Sequence, residues 1–144
     1  MNICKLGLLA GSFAIMATSG AWAIDEKSQI ELGKVEFLGS CAACHGADGK
    51  GSGPVAEVMV NKPLDLTQIS KKYGSFPSDD MYTVIDGRKM INPHGSRDMP
   101  VWGYRYLADA IKRSNEVPHD VDVIKMVDGR ITALVSYIYS IQTE

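Results

Sequence analysis

The run CAACH, residues 41–45, constrains this chain more than any other feature of its sequence. Two cysteines stand three positions apart and a histidine follows directly. Residues 46–53 come next, and half of them are glycine, which predicts a loop rather than a helix. This spacing suits a redox dithiol, a zinc half-site, a short disulfide or a covalent haem-attachment site, and the rest of the chain must distinguish them.

The first 23 residues predict a secretory signal peptide. Lys5 supplies an N-terminal positive charge, an apolar run follows, and Ala21-Trp22-Ala23 forms an A-x-A cleavage pattern. A membrane anchor is the alternative, but the run is short for a bilayer and is interrupted by Gly, Ser and Thr. We therefore expect a signal peptide over residues 1–23 and a soluble periplasmic domain over residues 24–144, with no membrane insertion after cleavage.

The charge of the exported domain restricts the kinds of partner it can bind, and its cysteine content restricts the disulfides it can form. Cleavage removes Lys5 and no acidic residue, which leaves a net charge of −3. A negative domain disfavours nucleic acid or an anionic membrane surface as a partner. Cleavage also removes Cys4, so Cys41 and Cys44 are the remaining cysteines and no disulfide network can form.

Hydrophobic periodicity in the mature chain is helical, and few segments alternate with period two. We expect helices within residues 25–40, 78–86, 104–114 and 129–142, and a short one within 54–63. The Pro- and Gly-rich run over residues 89–103 predicts an extended loop. The fold class is therefore all-α, with four to five helices. Its loops are too long for so small an apolar core, which indicates that a large apolar cofactor organises them.

Haem attachment fits the CAACH run better than its rivals do. A thioredoxin-like dithiol needs a βαβ context, and a zinc site needs further ligands at a recognisable spacing, which His94 and His119 do not provide. A disulfide across two residues would stabilise little. Two thiols at this spacing can reach both haem vinyl groups, and His45 then lies below the iron as an axial ligand.

Met99, in the run SRDMPVWG, is the predicted second axial ligand. Pro100 biases it toward an extended conformation, which suits a side chain projected from a loop. A soft thioether stabilises ferrous iron, and we interpret Met59, Met81, Met90 and Met126 as core-filling residues. His94 is the alternative ligand, five residues earlier in the same loop.

Together these motifs resemble the class I c-type cytochromes, in particular small bacterial ones with an M-P-x-W-G ligand motif. The resemblance covers nearly all of the mature chain and is carried by CAACHG, GKGSGP, KPLDLT, FPSDDMYTVIDGR, HGSRDMPVWG and LVSYI. It implies the cytochrome c fold around one covalent haem c, a one-electron carrier rather than an enzyme, and transient contacts with redox partner proteins.

The resemblance also implies roles for single residues. Gly33 and Phe37 on the first helix match positions that pack against Tyr137 on the last helix. Pro54 matches a proline whose carbonyl accepts a hydrogen bond from the ligand histidine and fixes its tautomer. Trp102 matches a residue at the haem edge.

Two arginines are candidates for the haem propionates. Arg88 and Arg97 could pair with these carboxylates, although solvated surface charge is an equal alternative for each. Two further functions also stay open. The chain could be a subunit of a periplasmic dehydrogenase or oxidase rather than a monomeric carrier. It could also be a ligand-binding or sensor protein whose sixth iron ligand is labile.

Overall fold

A computed structural model describes residues 25–87, 99–116 and 122–143 of the chain. In these residues there is no strand, which confirms the all-α fold. None of the described helices has both the length and the apolar composition needed to cross a bilayer. The α-helices are α1 (Glu26–Ser40), α2 (Ala42–His45), α3 (Ile69–Tyr73), α4 (Ser78–Asp86), α5 (Trp102–Glu116) and α6 (Val123–Ser140), and two 3₁₀-helices span Pro54–Val58 and Leu66–Gln68.

The first and last of these helices cross at backbone distance. A β-carbon built at Gly33 would overlap the carbonyl oxygen of Ala133 and would lie 2.8 Å from the β-carbon of Tyr137. One turn further along α1, the Phe37 ring packs against Tyr137 with 5.1 Å between ring centroids. The absence of a side chain at Gly33 therefore allows the close crossing, and the predicted packing of Gly33, Phe37 and Tyr137 is confirmed.

Helix α6 supplies most of the core. Asp122 caps it by accepting a hydrogen bond from the Lys125 amide, so the helix begins six residues before the apolar stripe expected over 129–142. Its buried residues are Val127, Ile131, Ala133, Leu134, Val135, Tyr137 and Ile138. They pack against Phe37 of α1, Ile85 of α4 and Tyr106 of α5, so these four helices share one core.

Three segments differ from the helix predictions. The helix expected within 54–63 is a single 3₁₀-helix, and Val58 and Val60 beyond its centre are 84% and 97% exposed. Without an apolar partner, β-branched residues do not sustain a helix. Helix α5 begins at Trp102, inside the run predicted as loop, because Gly103 packs against α4. The short helices α2 and α3 were not predicted.

Candidate functional site

The CAACH run forms the end of α1 and all of α2. The Cys41 amide donates to the Phe37 carbonyl at 2.8 Å, and the His45 amide donates to the Cys41 carbonyl at 2.9 Å. These helical bonds hold Cys41, Cys44 and His45 on successive parts of one turn. Both thiols are half-buried and unpaired. The three predicted attachment residues are therefore brought together by local structure.

A backbone carbonyl orients the His45 ring. Its Nδ1 lies 3.2 Å from the carbonyl oxygen of Leu64. Because a carbonyl can only accept, Nδ1 carries the proton and Nε2 keeps a lone pair for a metal ion. Burial lowers the pKa of His45, and the bond to Leu64 opposes that shift only in part. The structure therefore favours a neutral imidazole with a free Nε2.

Leu64, rather than Pro54, is the residue that accepts from His45, so the prediction for Pro54 is wrong on this point. Pro54 is exposed and is the first residue of a 3₁₀-helix. The carbonyl of the first residue in a 3₁₀-helix is directed at the amide three residues later in the same helix. The Pro54 carbonyl is therefore directed along its own helix and not at the His45 ring. The carbonyl that reaches the ring belongs to the run KPLDLT, residues 62–67, and not to the run GKGSGP that ends at Pro54.

The glycine-rich loop after the motif explains how Leu64 comes so close. The Gly51 amide donates to the His45 carbonyl at 2.7 Å, and the Gly53 amide donates to the Cys44 carbonyl at 3.0 Å. The Leu66 amide then donates to the Gly49 carbonyl at 2.8 Å. The loop thus folds back on α2 and holds the segment around Leu64 beside the histidine.

Cys41 has the electrostatic surroundings of an unreactive thiol. Burial raises its pKa to about 12, and the charges of Glu36 and Cys44 add to the shift. Redox dithiols and reactive cysteines instead have lowered thiol pKa values. The direction of the shift, together with the helical context on both sides, disfavours the redox-dithiol alternative. In the described parts of the chain, no group of three or more His, Cys, Asp or Glu side chains could hold a metal ion.

Met99 lies at the start of the segment that leads into α5, and its side chain is 37% exposed. Two residues later the chain packs against the end of α4. A β-carbon built at Gly87 would lie 3.0 Å from Cγ1 of Val101. Met99 therefore lies two residues from the point where the chain packs against the end of α4. His94, Arg88 and Arg97 lie outside the described residues, and the roles proposed for them stay predictions.

Trp102 is half-buried and packs on the same core cluster that Cys41 contacts. Its ring lies 5.7 Å from the ring of Tyr106, and the guanidinium carbon of Arg105 lies 5.0 Å from the Trp102 ring. Helix α5 therefore brings Trp102 to the side of the core where the attachment motif begins. The predicted role of Trp102 at a haem edge stays a prediction.

Tyr106, one of the tyrosines for which the sequence predicts packing on the haem or the core, is a further candidate residue of the site. Its side chain is 1% exposed, and its hydroxyl has no partner in hydrogen-bond geometry among the described residues. Burial raises the pKa of Tyr106 to about 12, against the effect of the nearby Ser40 hydroxyl. Its spacing of four residues from Trp102 on a helix places both rings on one face, which was the available signal.

Arg130 holds this tyrosine in place. Its guanidinium carbon lies 3.8 Å from the centroid of the Tyr106 ring. The same guanidinium makes two hydrogen bonds of 2.9 Å to the Glu36 carboxylate and one of 3.3 Å to Asp109. The network connects α1, α5 and α6 next to the turn that bears Cys41.

The donor set fits a covalently bound haem. Two unpaired thiols stand one helical turn apart, and the adjacent imidazole offers a free Nε2. A buried hydroxyl without a partner, that of Tyr106, lies on the same side of the core. Thiols at this spacing can form two thioether bonds, and a neutral imidazole is the usual axial ligand to haem iron.

Comparison with known proteins supports this chemistry. The family model described as Cytochrome c matches residues 30–142, which include the CAACH run, Met99 and all of α6. The match covers well over half of the chain. No curated protein and no solved structure matches the chain.

Proposed function

The chain belongs to the cytochrome c family, and we propose that it is a periplasmic mono-haem member in which His45 and Met99 bind the iron. Cytochromes c hold haem c covalently and are haem-based electron carriers that typically catalyse no reaction of their own. The orientation of His45 by Leu64, beside two unpaired thiols, is the observation that carries the proposal. The chain would then transfer single electrons between protein partners.

The attachment residues have distinct tasks. When bound, haem c supplies an iron that cycles between the ferrous and ferric states. Cys41 and Cys44 fix the group to the end of α1, and the Leu64 carbonyl holds the His45 ring with Nε2 free. A hydrogen bond at Nδ1 also makes Nε2 a better donor, as is usual for metal-bound histidines. The protein therefore orients its ligand before the cofactor is in place.

Met99 would complete the coordination. A neutral thioether favours ferrous iron, so histidine–methionine ligation raises the reduction potential. If His45 and Met99 both held the iron, it would have no open position for a substrate, which suits an electron carrier rather than an enzyme. A labile Met99 would instead suit a ligand-binding or sensor protein.

Mono-haem attachment and export rest on the sequence. The chain contains one C-x-x-C-H run, and its first 23 residues have the pattern of a cleaved signal peptide. Export is also the context in which such proteins meet their partners. Redox partners would dock briefly, and either a free monomer or a subunit of a periplasmic dehydrogenase or oxidase agrees with this function.

The optical spectrum of the ferric holoprotein tests the proposed ligands. A weak long-wavelength charge-transfer band reports a methionine sulfur on ferric iron. We expect the band in the wild type and in His94→Ala, and its loss in Met99→Ala together with ready carbon monoxide binding by the ferrous form. A wild type without the band, or a band that disappears in His94→Ala and persists in Met99→Ala, would contradict the assignment.

The mass of protein recovered from the periplasm tests export and haem count. We expect an N-terminus at Ile24 and the mass of one covalently attached haem. Cys41→Ala and Cys44→Ala should each remove one thioether bond, and the double variant should carry no covalent haem. An uncleaved N-terminus or a second haem would rule out the corresponding part of the proposal.

A further inference from the structure

We infer that Asp86 and Gly103 are positioning residues that hold Met99 in place as the iron ligand, an inference that rests on the proposed function. They belong to a contact between the end of α4 and the start of α5. We call this contact the α4–α5 clamp and define it by Asp86, Gly87, Val101 and Gly103.

The two helices meet at backbone distance in the clamp. A β-carbon built at Gly103 would overlap Oδ1 of Asp86 and would lie 2.6 Å from the backbone carbonyl oxygen of the same residue. A side-chain oxygen can rotate away, but a backbone carbonyl cannot move without shifting the end of α4. Gly103 is therefore required for the present path of the chain.

The Asp86 side chain also stabilises the α4–α5 clamp electrostatically. It is a carboxylate only 6% exposed, and it lies against the first turn of α5. The amide groups of a first turn carry the positive end of the helix dipole, which stabilises a nearby negative charge. Because Asp86 is buried, this interaction favours keeping the start of α5 beside the end of α4.

The clamp controls both ends of the segment that bears the predicted ligands. Gly87 ends α4 with a φ of +69°, and Val101 packs directly against it. The chain leaves the clamp after Gly87 and reaches it again at Val101, two residues after Met99. Since a residue spans at most about 3.6 Å, the Met99 backbone stays within roughly 7 Å of Val101. A shift of α5 would therefore move Met99 directly.

A thioether is a ligand that depends on such positioning. It carries no charge, and in this chain it competes with His94, five residues earlier in the same segment. A displacement of an ångström or less can determine which side chain occupies the iron. The clamp therefore favours Met99 by fixing the end of the segment that is nearer to Met99 than to His94.

A matched pair of glycine variants in the holoprotein tests the inference. Gly103→Ala places a methyl group against Asp86, whereas Gly129→Ala places one in open space on α6. Both changes replace a helical glycine with alanine, the better helix former, so a loss confined to Gly103→Ala reports the clamp rather than helix propensity. We expect Gly103→Ala to reduce the ferric methionine–iron band at least about tenfold and to lower the reduction potential, because an overpacked contact forces the backbone apart. Gly129→Ala should keep the wild-type band and potential.

Asp86→Asn is a second variant that keeps the volume of the side chain and removes its charge. It should reduce the band less than Gly103→Ala does, and it keeps the test decisive if Gly103→Ala does not fold. Wild-type bands in both clamp variants, or an equal loss in Gly129→Ala, would overturn the inference. A wild type that itself lacks the band would refute Met99 ligation instead, so failure of the clamp and failure of the proposed function can be told apart.

Discussion

Gly33 and Gly103 both allow two helices to touch at their backbones, but they hold different parts of the molecule. Gly33 lies at the crossing of α1 and α6, among residues such as Phe37 and Leu134 that have no exposed surface. Gly103 lies at the clamp, where Val101 and Trp102 are only half-buried and Met99 is exposed. The comparison separates residues that stabilise the whole fold from residues that place one proposed ligand.

The largest expected effect is that of Gly33→Ala. The added methyl group would overlap the Ala133 carbonyl, so α1 and α6 must separate. Overpacking costs about 1–3 kcal/mol and occasionally more, and here backbone meets backbone, so we expect at least about 3 kcal/mol less free energy of unfolding. Denaturant unfolding measures it. Gly39→Ala on the same helix, where a β-carbon meets nothing, should be neutral or stabilising. Equal effects of the two variants would contradict the crossing argument.

The Arg130 network should give the next largest effect, again on the fold. Arg130→Gln removes the ion pair with Glu36, for which the described residues offer no other partner, at a site where both side chains are only about one quarter exposed (28% and 24%). It also removes the contact with the Tyr106 ring. Allowing for solvent screening, we expect a loss of about 1–2 kcal/mol in the free energy of unfolding.

Lys125→Gln is the control for this variant. Lys125 pairs with Asp122 at 3.1 Å, but its side chain is 84% exposed. Exposed pairs contribute little, so the free energy of unfolding should not change measurably. Neither variant should alter the methionine–iron band, because neither residue belongs to the clamp. A lost band in Arg130→Gln would show that the two regions are coupled.

How far the sequence predicts this protein depends on whether the relevant contact is local. Cys41, Cys44 and His45 follow from a short motif, and the Gly33 crossing is implied by the resemblance to c-type cytochromes. The predicted hydrogen-bond acceptor for the His45 ring was wrong, because the path of the glycine-rich loop, and not a motif, brings the Leu64 carbonyl to the ring. The start of α5 was also predicted wrongly. A glycine in a Pro- and Gly-rich run indicates a loop, but Gly103 packs against Asp86 of α4 and lies in the first turn of the helix. Tertiary contacts decided both cases.

Tyr106 gives a prediction that depends on pH. Burial raises its pKa to about 12, so the folded state keeps the proton after the unfolded state has lost it near pH 10. The stability that Tyr106 contributes is therefore present below pH 10 and is lost as the pH rises toward 12. We expect the free energy of unfolding to fall by up to about 1.4 kcal/mol per pH unit in this window. Tyr106→Phe should remove this part of the slope, and an unchanged slope would contradict it.

Leaving the control variants aside, the smallest expected destabilisation is that of Tyr82→Phe, which tests whether the two regions are independent. The Tyr82 hydroxyl donates to Asp128 at 2.6 Å and so connects α4, which ends in the clamp, to α6 of the core. A hydrogen bond to a charged group contributes about 1.5 kcal/mol or more when buried, but this one is only partly buried, so we expect a loss of about 0.5–1.5 kcal/mol. Because the end of α4 is held by Asp86 and Gly103 themselves, the methionine–iron band should not change. A weaker band in Tyr82→Phe would mean that a change in core packing alters the position of Met99 through α4. The distinction between residues that stabilise the fold, such as Gly33, and residues that position the ligand, such as Gly103, would then be wrong.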